Sequence, residues 1–258
     1  MIVGTERGGT IGIGTGAPDL RADSGHGRAA PRPAAQLARR SARAEGDASS
    51  EPRISLDIRP PLIRDPAVSV TVIVPLSAGE ADPDDLLAAL PPSFEIILAR
   101  GGTRASSMNE AVLVACGRHL WFVHADTTLG ADAVAALLAM LAAAPSALHY
   151  FDVLFDGGPM MRLTEWGVRC RSRVLRLPFG DQALCIPAAT FQVLGGYDEV
   201  TACGEDLLLV RRAHRAGISV LPIGASIMTS ARKYRRNGWF RTTFRHLKLT
   251  VQLALRAT

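Results

Sequence analysis

The stretch VSVTVIVPL (residues 68–76) decides the fold, because its apolar, mostly β-branched residues form one nearly continuous run. Such a run is typical of a parallel strand that helices cover on both faces of the sheet. Further apolar runs follow: FEIILA (94–99), HLWFVHA (119–125) and LHYFDVLF (148–155). Helical patterns stand between them, over residues 82–90, 106–116 and 130–144. This alternation predicts an α/β fold with an open, mostly parallel sheet flanked by helices and right-handed crossovers.

Polar residues mark the start of the helix over residues 106–116 and the start of another helix near residue 205. We expect Ser106 or Ser107 to cap the helix over residues 106–116. The pair Glu205 and Asp206 should open an amphipathic helix that closes at Gly217. Acidic residues in a first turn are common because they interact with the helix dipole, but a carboxylate fixed there can also act as a general base.

The composition excludes several classes of protein. The chain has 258 residues, 48% of them hydrophobic, and four cysteines without Cys-x-x-Cys spacing. This predicts one large core and argues against a disulfide scaffold or a structural zinc site. The longest apolar run (133–144) has 12 residues, whereas a membrane span needs ~20. We therefore expect a cytoplasmic protein with reduced thiols.

Residues 1–66 are rich in Gly, Ala, Arg, Pro and Ser and have no sustained apolar period. We predict a disordered tail there and a single domain over residues 67–258. Within the tail, GGTIGIGTG (8–16) is similar to a dinucleotide-binding loop, but no helical pattern follows it, so no cofactor site is expected.

The charge of the chain is unevenly distributed. The net charge is +5, but residues 207–258 contain 11 basic residues and no acidic one. In residues 239–248 aromatic and basic residues interleave as in an interfacial helix, which makes an anionic membrane surface a candidate partner at the inner face of the plasma membrane. Alternatively, the basic residues just before this segment, Arg232, Lys233, Arg235 and Arg236, could stabilise a leaving phosphate or form a solvated basic face. Nucleic acid is not expected, because no DNA- or RNA-reading motif is present.

The run FVHADTTL (122–129) delivers Asp126 just after a strand. A carboxylate there can bind a divalent cation that also takes phosphate oxygens, or it can simply cap the next helix. A third interpretation is the Asp-x-Asp-x-Thr loop of haloacid-dehalogenase-type phosphatases. We discount it, because His124 stands where that loop needs a nucleophilic carboxylate.

Six motifs, taken in order, carry a resemblance: VSVTVIVPLSAGE, SSMNEA, FVHADTTL, RLPFGDQALCI, LGGYDEVTACGEDLLLVRR and TSARKYRRNGWFRTTFRH. Together they resemble the family 2 glycosyltransferases, which have the Rossmann-like GT-A fold. Within that family they are most similar to the bacterial subgroup called rSAM/selenodomain-associated transferase 2. The similarity covers residues 68–255. It implies a metal-dependent inverting transferase that moves a sugar from a nucleotide-diphosphate sugar to a hydroxyl acceptor, with Mn²⁺ or Mg²⁺.

The resemblance also implies roles for single residues. Asp126 matches the last Asp of the family's metal motif, and His124 stands where the first Asp often is. Asp206, beside Glu205, matches the presumed catalytic base. The remaining matches are expected around the donor and its sugar: Pro75, Glu80, Asn109, Asp181, Gln182, Arg232, Arg235 and Arg236.

One departure from the family pattern concerns the segment after the second strand. Relatives have an Asp-Gly-Gly-Ser-like loop there and then a third edge strand. Here FEIILA runs directly into RGGTRASSMNEA, so Ala99 or Arg100 replaces the Asp that reads the base, and the edge strand is expected to be missing. This motivates an alternative function, a catalytically degenerate glycosyltransferase-fold module that binds or scaffolds at the inner membrane surface.

Overall fold

The computed structural model describes residues 53–63, 69–201, 204–244 and 248, with residues 233, 236 and 237 described by their backbone only. The chain divides into two units, Met1–Ser50 and Glu51–Thr258, and the second contains all of these residues. The loop over residues 8–16 therefore lies outside the described residues.

The described strands and helices alternate as the sequence predicts. The strands are β1 (Ser55–Arg59), β2 (Val70–Leu76), β3 (Glu95–Arg100), β4 (His119–Phe122), β5 (Thr127–Leu129), β6 (Leu148–Phe155), β7 (Cys185–Pro187) and β8 (Val220–Thr229). The helices are α1 (Asp84–Ala88), α2 (Arg104–Val114), α3 (Ala133–Ala143), α4 (Pro159–Val174), α5 (Ala188–Val193), α6 (Glu205–Arg215) and α7 (Arg232–Asn237). A single 3-10 turn, Gly180–Gln182, precedes β7.

These strands form one sheet in the order β1-β3-β2-β4-β7-β6-β8-β5. β2 pairs in parallel with β3 and β4, and β6 pairs in parallel with β8. β7 lies between β4 and β6 and runs antiparallel to both. Five strands thus share one direction, which confirms the mostly parallel α/β sheet, and their carboxyl ends lie along one edge. We call this edge the carboxyl edge.

Apolar side chains cover both faces of the sheet. On one face the core includes Met108 of α2, Phe191 of α5 and Leu209 of α6. On the other it includes Leu86 of α1 and Leu137 of α3. Because helices pack on both faces, the central strands β2 and β6 are mostly apolar and do not alternate regularly between apolar and polar residues. In the described ranges, no helix has both the length and the hydrophobicity that crossing a bilayer would require.

β1 occupies the edge of the sheet beside β3 and corrects one expectation. It runs antiparallel to β3, with Ser55 opposite Arg100 and Arg59 opposite Ile96. The prediction of a disordered tail is therefore wrong for Ser55–Arg59. The edge strand that is missing after β3 in the sequence is supplied here from the N-terminal side. The chain also packs closely beyond the strand, since a Cβ on Gly101 would lie 2.8 Å from the carbonyl oxygen of Arg53.

α2 begins earlier than predicted. Its N-cap is Thr103, whose hydroxyl accepts a hydrogen bond from the Ser106 backbone N–H at 3.1 Å. In return, the Ser106 hydroxyl accepts one from the Thr103 N–H at 2.9 Å. The expected cap at Ser106 or Ser107 is wrong, because this reciprocal pair satisfies the helix start three residues upstream. The shift makes Arg104 the first residue of the helix.

Candidate active site

A group of buried charges lies at the carboxyl edge, between the starts of α2 and α6. Arg104 follows β3, and its Nη2 donates a hydrogen bond to Asp206 Oδ2. Its Nε lies 3.3 Å from Glu205 Oε1. Both carboxylate side chains are only 11% exposed. We call these three residues the Arg104 cluster. The cluster joins α2 to α6, and its members Arg104 and Asp206 are 102 residues apart in the sequence.

Burial sets the electrostatics of this cluster. It raises the pKa of the Asp206 carboxyl above its usual range; Arg104 opposes this rise and Glu205 adds to it. Burial alone would lower the pKa of Arg104, but Asp206 and Glu205 raise it above its usual value, so Arg104 stays charged. The neighbouring Tyr197 is fully buried among the same charges, and burial raises its pKa as well.

The two carboxylate oxygens of Asp206 have different surroundings. Its Oδ2 accepts the hydrogen bond from Arg104. Its Oδ1 is buried and meets no donor in good hydrogen-bond geometry within the described part of the chain, although the Tyr197 hydroxyl interacts with the same carboxyl group. A buried acceptor atom without a partner is costly and uncommon in proteins, and such atoms are often found at functional sites. The geometry therefore suits Asp206 to accept a proton from a bound hydroxyl group.

The turn Gly180–Gln182 packs directly on this ion pair. A Cβ on Gly180 would collide with Arg104 Nη2 and with Asp206 Oδ2, so the close approach requires a glycine. Asp181 comes next, and its charge acts on Asp206, which places the two carboxylates near one another. Its Oδ1 is also buried without a hydrogen-bond partner among the described residues. The predicted sites at Asp181 and Asp206 are thus brought together.

Gln182 points into the core rather than toward a ligand. Its side chain is fully buried. The amide oxygen accepts hydrogen bonds from Arg171 at 3.1 Å, Ser172 at 2.7 Å and the Phe179 N–H at 3.2 Å. The amide nitrogen donates to the Phe151 carbonyl at 2.9 Å. The expected contact of Gln182 with the donor is therefore corrected: the residue supports the turn from inside.

Asn109 links α2 to the glycine turn before α6. Its Nδ2 donates to the Tyr197 carbonyl at 2.9 Å and to Glu199 Oε1 at 2.8 Å, and its Oδ1 accepts from the Tyr197 N–H at 2.9 Å. Gly196 has φ +69°, and a Cβ there would lie 2.9 Å from the same Oδ1. Asn109 thus holds the turn that leads to α6, while its predicted contact with a donor stays a prediction.

The loop after β2 is tied to β3 and to β1 by charged groups. Arg100 donates to the Glu80 carbonyl and to the Asp82 carboxylate. Arg59 of β1 lies 2.6 Å from the other Asp82 oxygen. Pro75 is half-buried in β2, and Glu80 is exposed. Arg100, one of the two residues expected in place of a base-reading Asp, is thus bonded to this loop.

Solved structures resemble this fold, although no family model matches the chain and no curated protein matches it. The crystal structure of S. aureus TarS 1-349 aligns over 63% of this chain with a TM-score of 0.50 and 17% identity. That of S. aureus TarS aligns over 63% with a TM-score of 0.50 and 16% identity. A structure of TarS 1-349 in complex with UDP-GlcNAc aligns with a TM-score of 0.45 and 16% identity, over 63% of this chain and 58% of that chain. The alignments span 60% of the first of those chains and 37% of the second.

The chain has a GT-A-like fold. The alignments bear on the fold, whereas family 2 and its subgroup rest on the sequence motifs.

The sequence motif predicts a divalent cation at Asp126. Asp126 is exposed on the loop between β4 and β5, and His124 is half-buried just before it. Among the described residues no three His, Cys, Asp or Glu side chains converge to hold a metal ion. One exposed carboxylate fits such an ion only as a shared ligand, with phosphate oxygens of a substrate completing the shell.

The predicted phosphate-side arginines lie on α7. Arg235 donates to the Asp156 carbonyl at 2.8 Å, and its guanidinium lies 3.4 Å from the Asp156 carboxylate. The Ala231 N–H, and after it Arg235, lower the pKa of Asp156 below its usual value. Arg232 is exposed, and the side chain of Arg236 lies outside the described part of the chain. Their contact with a diphosphate stays a prediction.

Sequence reasoning missed the pairing of Arg104 with Asp206, because the two residues belong to distant motifs. One signal existed. A carboxylate that opens an otherwise buried helix needs a counter-charge, and the acidic body (67–206) offers only eight basic residues. Arg104 is the one of these eight that follows a strand of the carboxyl edge and begins a helix.

Proposed function

We propose that this protein is a nucleotide-sugar-dependent glycosyltransferase that moves a sugar from a nucleotide-diphosphate donor to a hydroxyl acceptor with inversion. The observation that carries the proposal is the Asp206 carboxylate. It is buried at the carboxyl edge of a GT-A-like sheet beside Arg104 and Tyr197, and its Oδ1 meets no donor in good hydrogen-bond geometry among the described residues. In open α/β sheets, ligands bind in the crevice beyond this edge.

In the proposed reaction the acceptor hydroxyl lies against Asp206 Oδ1. The hydroxyl oxygen attacks the anomeric carbon while its proton passes to Asp206. The bond between that carbon and the diphosphate oxygen breaks, and its electron pair stays on the diphosphate. Because attack and departure occur on opposite faces of the sugar, the configuration at the anomeric carbon inverts. A proton acceptor held in position typically accelerates such a step 10²–10⁴-fold, by order of magnitude.

The neighbours of Asp206 prepare it for this role. Arg104 opposes the effect of burial on the carboxyl and so favours the ionised form that can take a proton. The Oδ1 of Asp181, which has no hydrogen-bond partner among the described residues, would accept a hydrogen bond from a further sugar hydroxyl. Asp126 would hold Mn²⁺ or Mg²⁺, which when bound neutralises the departing diphosphate. The other proposed donor contacts are Pro75, Glu80, His124, Asn109, Arg232, Arg235 and Arg236.

The test is nucleotide release by the full chain. Uridine, guanosine and thymidine diphosphate sugars are supplied with Mn²⁺ or Mg²⁺, and free nucleotide diphosphate is measured. We expect one donor class to be turned over. Asp206→Asn should reduce the rate roughly 10²–10⁴-fold, and Asp126→Ala should remove the response to metal.

The matched control is Asp132→Asn, which makes the same change at an exposed position at the start of α3. It should keep the wild-type rate. Turnover by Asp206→Asn within a few-fold of wild type would refute the mechanism. A folded protein that binds none of the donors would refute the activity.

A second candidate function is a non-catalytic binding or scaffold module at an anionic membrane surface. The position of Arg100 favours it. Its guanidinium is bonded to the Glu80 carbonyl and to Asp82, where the family has a base-reading carboxylate. This candidate predicts no turnover with any metal, together with salt-sensitive binding to anionic vesicles.

A further inference from the structure

Helix α4 carries an exposed apolar stripe that the proposed reaction does not use. Met160, Leu163 and Trp166 are 48%, 52% and 64% exposed. At ~100° per residue these three side chains fall within an arc of about 120° on the helix surface. The buried residues of α4, such as Met161 and Val168, lie on the other side, against the sheet. The stripe therefore faces away from the core.

A row of arginines borders this stripe. Arg162, Arg169 and Arg173 are exposed and fall within about 40° of one another around the helix, next to Trp166. Arg169 and Arg173 lie 3.5 and 2.7 Å from the largely buried carboxylate of Asp152, and their side chains remain 50% and 46% exposed. The exposed positions of α4 include no acidic residue. The face is thus both apolar and positive.

The segment after α7 extends the apolar part of this surface. Residues 239–244 are helical, and Trp239 Nε1 donates a hydrogen bond to Thr164 Oγ1 of α4 at 2.8 Å. Beyond this anchor, Phe240 and Phe244 are 77% and 69% exposed, and Arg241 is exposed beside them. Thr164 lies on the side of α4 opposite the row of arginines, so residues 239–244 pack beside the apolar stripe on the side away from the arginines.

We propose that α4 and residues 239–244 form a docking surface for a membrane that contains anionic phospholipids. Aromatic and aliphatic side chains would enter the boundary between headgroups and acyl chains, while the arginines meet the lipid phosphates. The charge selects this occupant, because a second copy of the chain would bring the same positive row against the first. The proposal does not depend on the transferase activity.

The surface also lies close to the candidate active site. Arg171, on the inner side of α4, donates to Gln182 Oε1 at 3.1 Å and stacks on the Phe179 ring at 3.6 Å. Both partners belong to the turn that packs on the Arg104 cluster. A membrane bound at α4 would therefore lie on the outer side of the helix that supports this turn.

The test is co-sedimentation of the full chain with vesicles, either of phosphatidylcholine alone or of phosphatidylcholine mixed with phosphatidylglycerol. We expect binding to the mixed vesicles only, weakened by salt. Arg162→Gln should weaken it about fivefold, and Trp166→Ser should weaken it further. The matched controls are Arg118→Gln, which removes an exposed arginine before β4, and Val193→Ser, which removes an exposed apolar side chain on α5. Both should bind as wild type does.

The outcomes separate the proposal from its rivals. Equal binding of wild type and Arg162→Gln/Trp166→Ser would overturn it, because any remaining attraction would then come from other basic residues. Sedimentation equilibrium without lipid gives a second readout. A wild-type dimer that Trp166→Ser dissociates would assign the surface to self-association instead. Circular dichroism of each variant checks that the fold is intact.

Discussion

Replacing Arg104 by methionine should destabilise the protein by about 3 kcal/mol at neutral pH. The change leaves Asp206 and Glu205 buried without their counter-charge, and breaking a buried pair in this way costs roughly 3–5 kcal/mol. We expect the lower end, because the Arg104 side chain keeps 33% exposure to solvent. Loss of an adjacent positive charge raises a carboxyl pKa by about 1–3 units. At ~1.4 kcal/mol per pKa unit, this change agrees with the expected loss of about 3 kcal/mol in stability.

The sign of the pH dependence follows from Asp206. Burial raises the pKa of Asp206 in the folded protein above its pKa in the unfolded chain. The free energy of unfolding therefore falls as the pH rises between these two pKa values. Without Arg104 the pKa rises further, and the penalty at neutral pH is larger. On acidification Asp206 becomes protonated in both proteins, and the need for a counter-charge disappears. The difference in stability between wild type and Arg104→Met should therefore be smaller at a mildly acidic pH than at neutral pH.

Urea unfolding, followed by circular dichroism at the two pH values, measures this difference. Arg162→Met is the matched control, since it makes the same change on the exposed face of α4. It should remain within about 0.5 kcal/mol of wild type at both pH values. Two results would refute the electrostatic account of the Arg104 cluster. One is a loss of stability in Arg104→Met at neutral pH that is as small as in Arg162→Met, and the other is a loss that grows on acidification.

Three further predictions concern single positions. Gly180→Ala should lower both stability and nucleotide release, because the added methyl group collides with the ion pair, whereas Gly167→Ala, in open space within α4, should stabilise the helix by about 1 kcal/mol. Asn109→Ala should lower the free energy of unfolding by about 1–3 kcal/mol and speed amide hydrogen exchange at Tyr197, whose N–H it holds. Burial lowers the pKa of His149 below its usual 6.5, so stability should fall as pH drops below that value, and His149→Gln should flatten this slope in urea titrations.

The parts of the fold that could be predicted are those whose apolar pattern is strong. β2 and β6 are buried on both faces, so their sequences are mostly apolar, with only Thr71, His149 and Asp152 as polar residues. β1 was missed because SLDIR is five residues long, is largely exposed and follows a stretch of biased composition. β7 was not predicted as a strand between β4 and β6, because its three residues form no apolar period of their own.

The residues of the candidate active site also differ in how well the sequence predicts them. Asp181, Glu205 and Asp206 were predicted from short motifs, and the structure brings them together. The partner of Asp206 was not predicted, because no local pattern links residues so far apart in the chain. Gln182 shows a second difficulty. A polar residue in a turn can face a ligand or the core, and only its hydrogen bonds to Arg171, Ser172 and Phe179 decide between the two.

The added strand β1 has a consequence for the solubility of the protein. β3 has the sequence EIILAR, and without β1 its outer row of N–H and C=O groups would be free to pair with another chain. β1 covers that row, and it carries Asp57 and Arg59, which are unfavourable for further edge-to-edge pairing. A chain shortened to residues 67–258 would keep the Arg104 cluster and lose this protection. It would present an unpaired, largely apolar edge at which molecules can pair into aggregates.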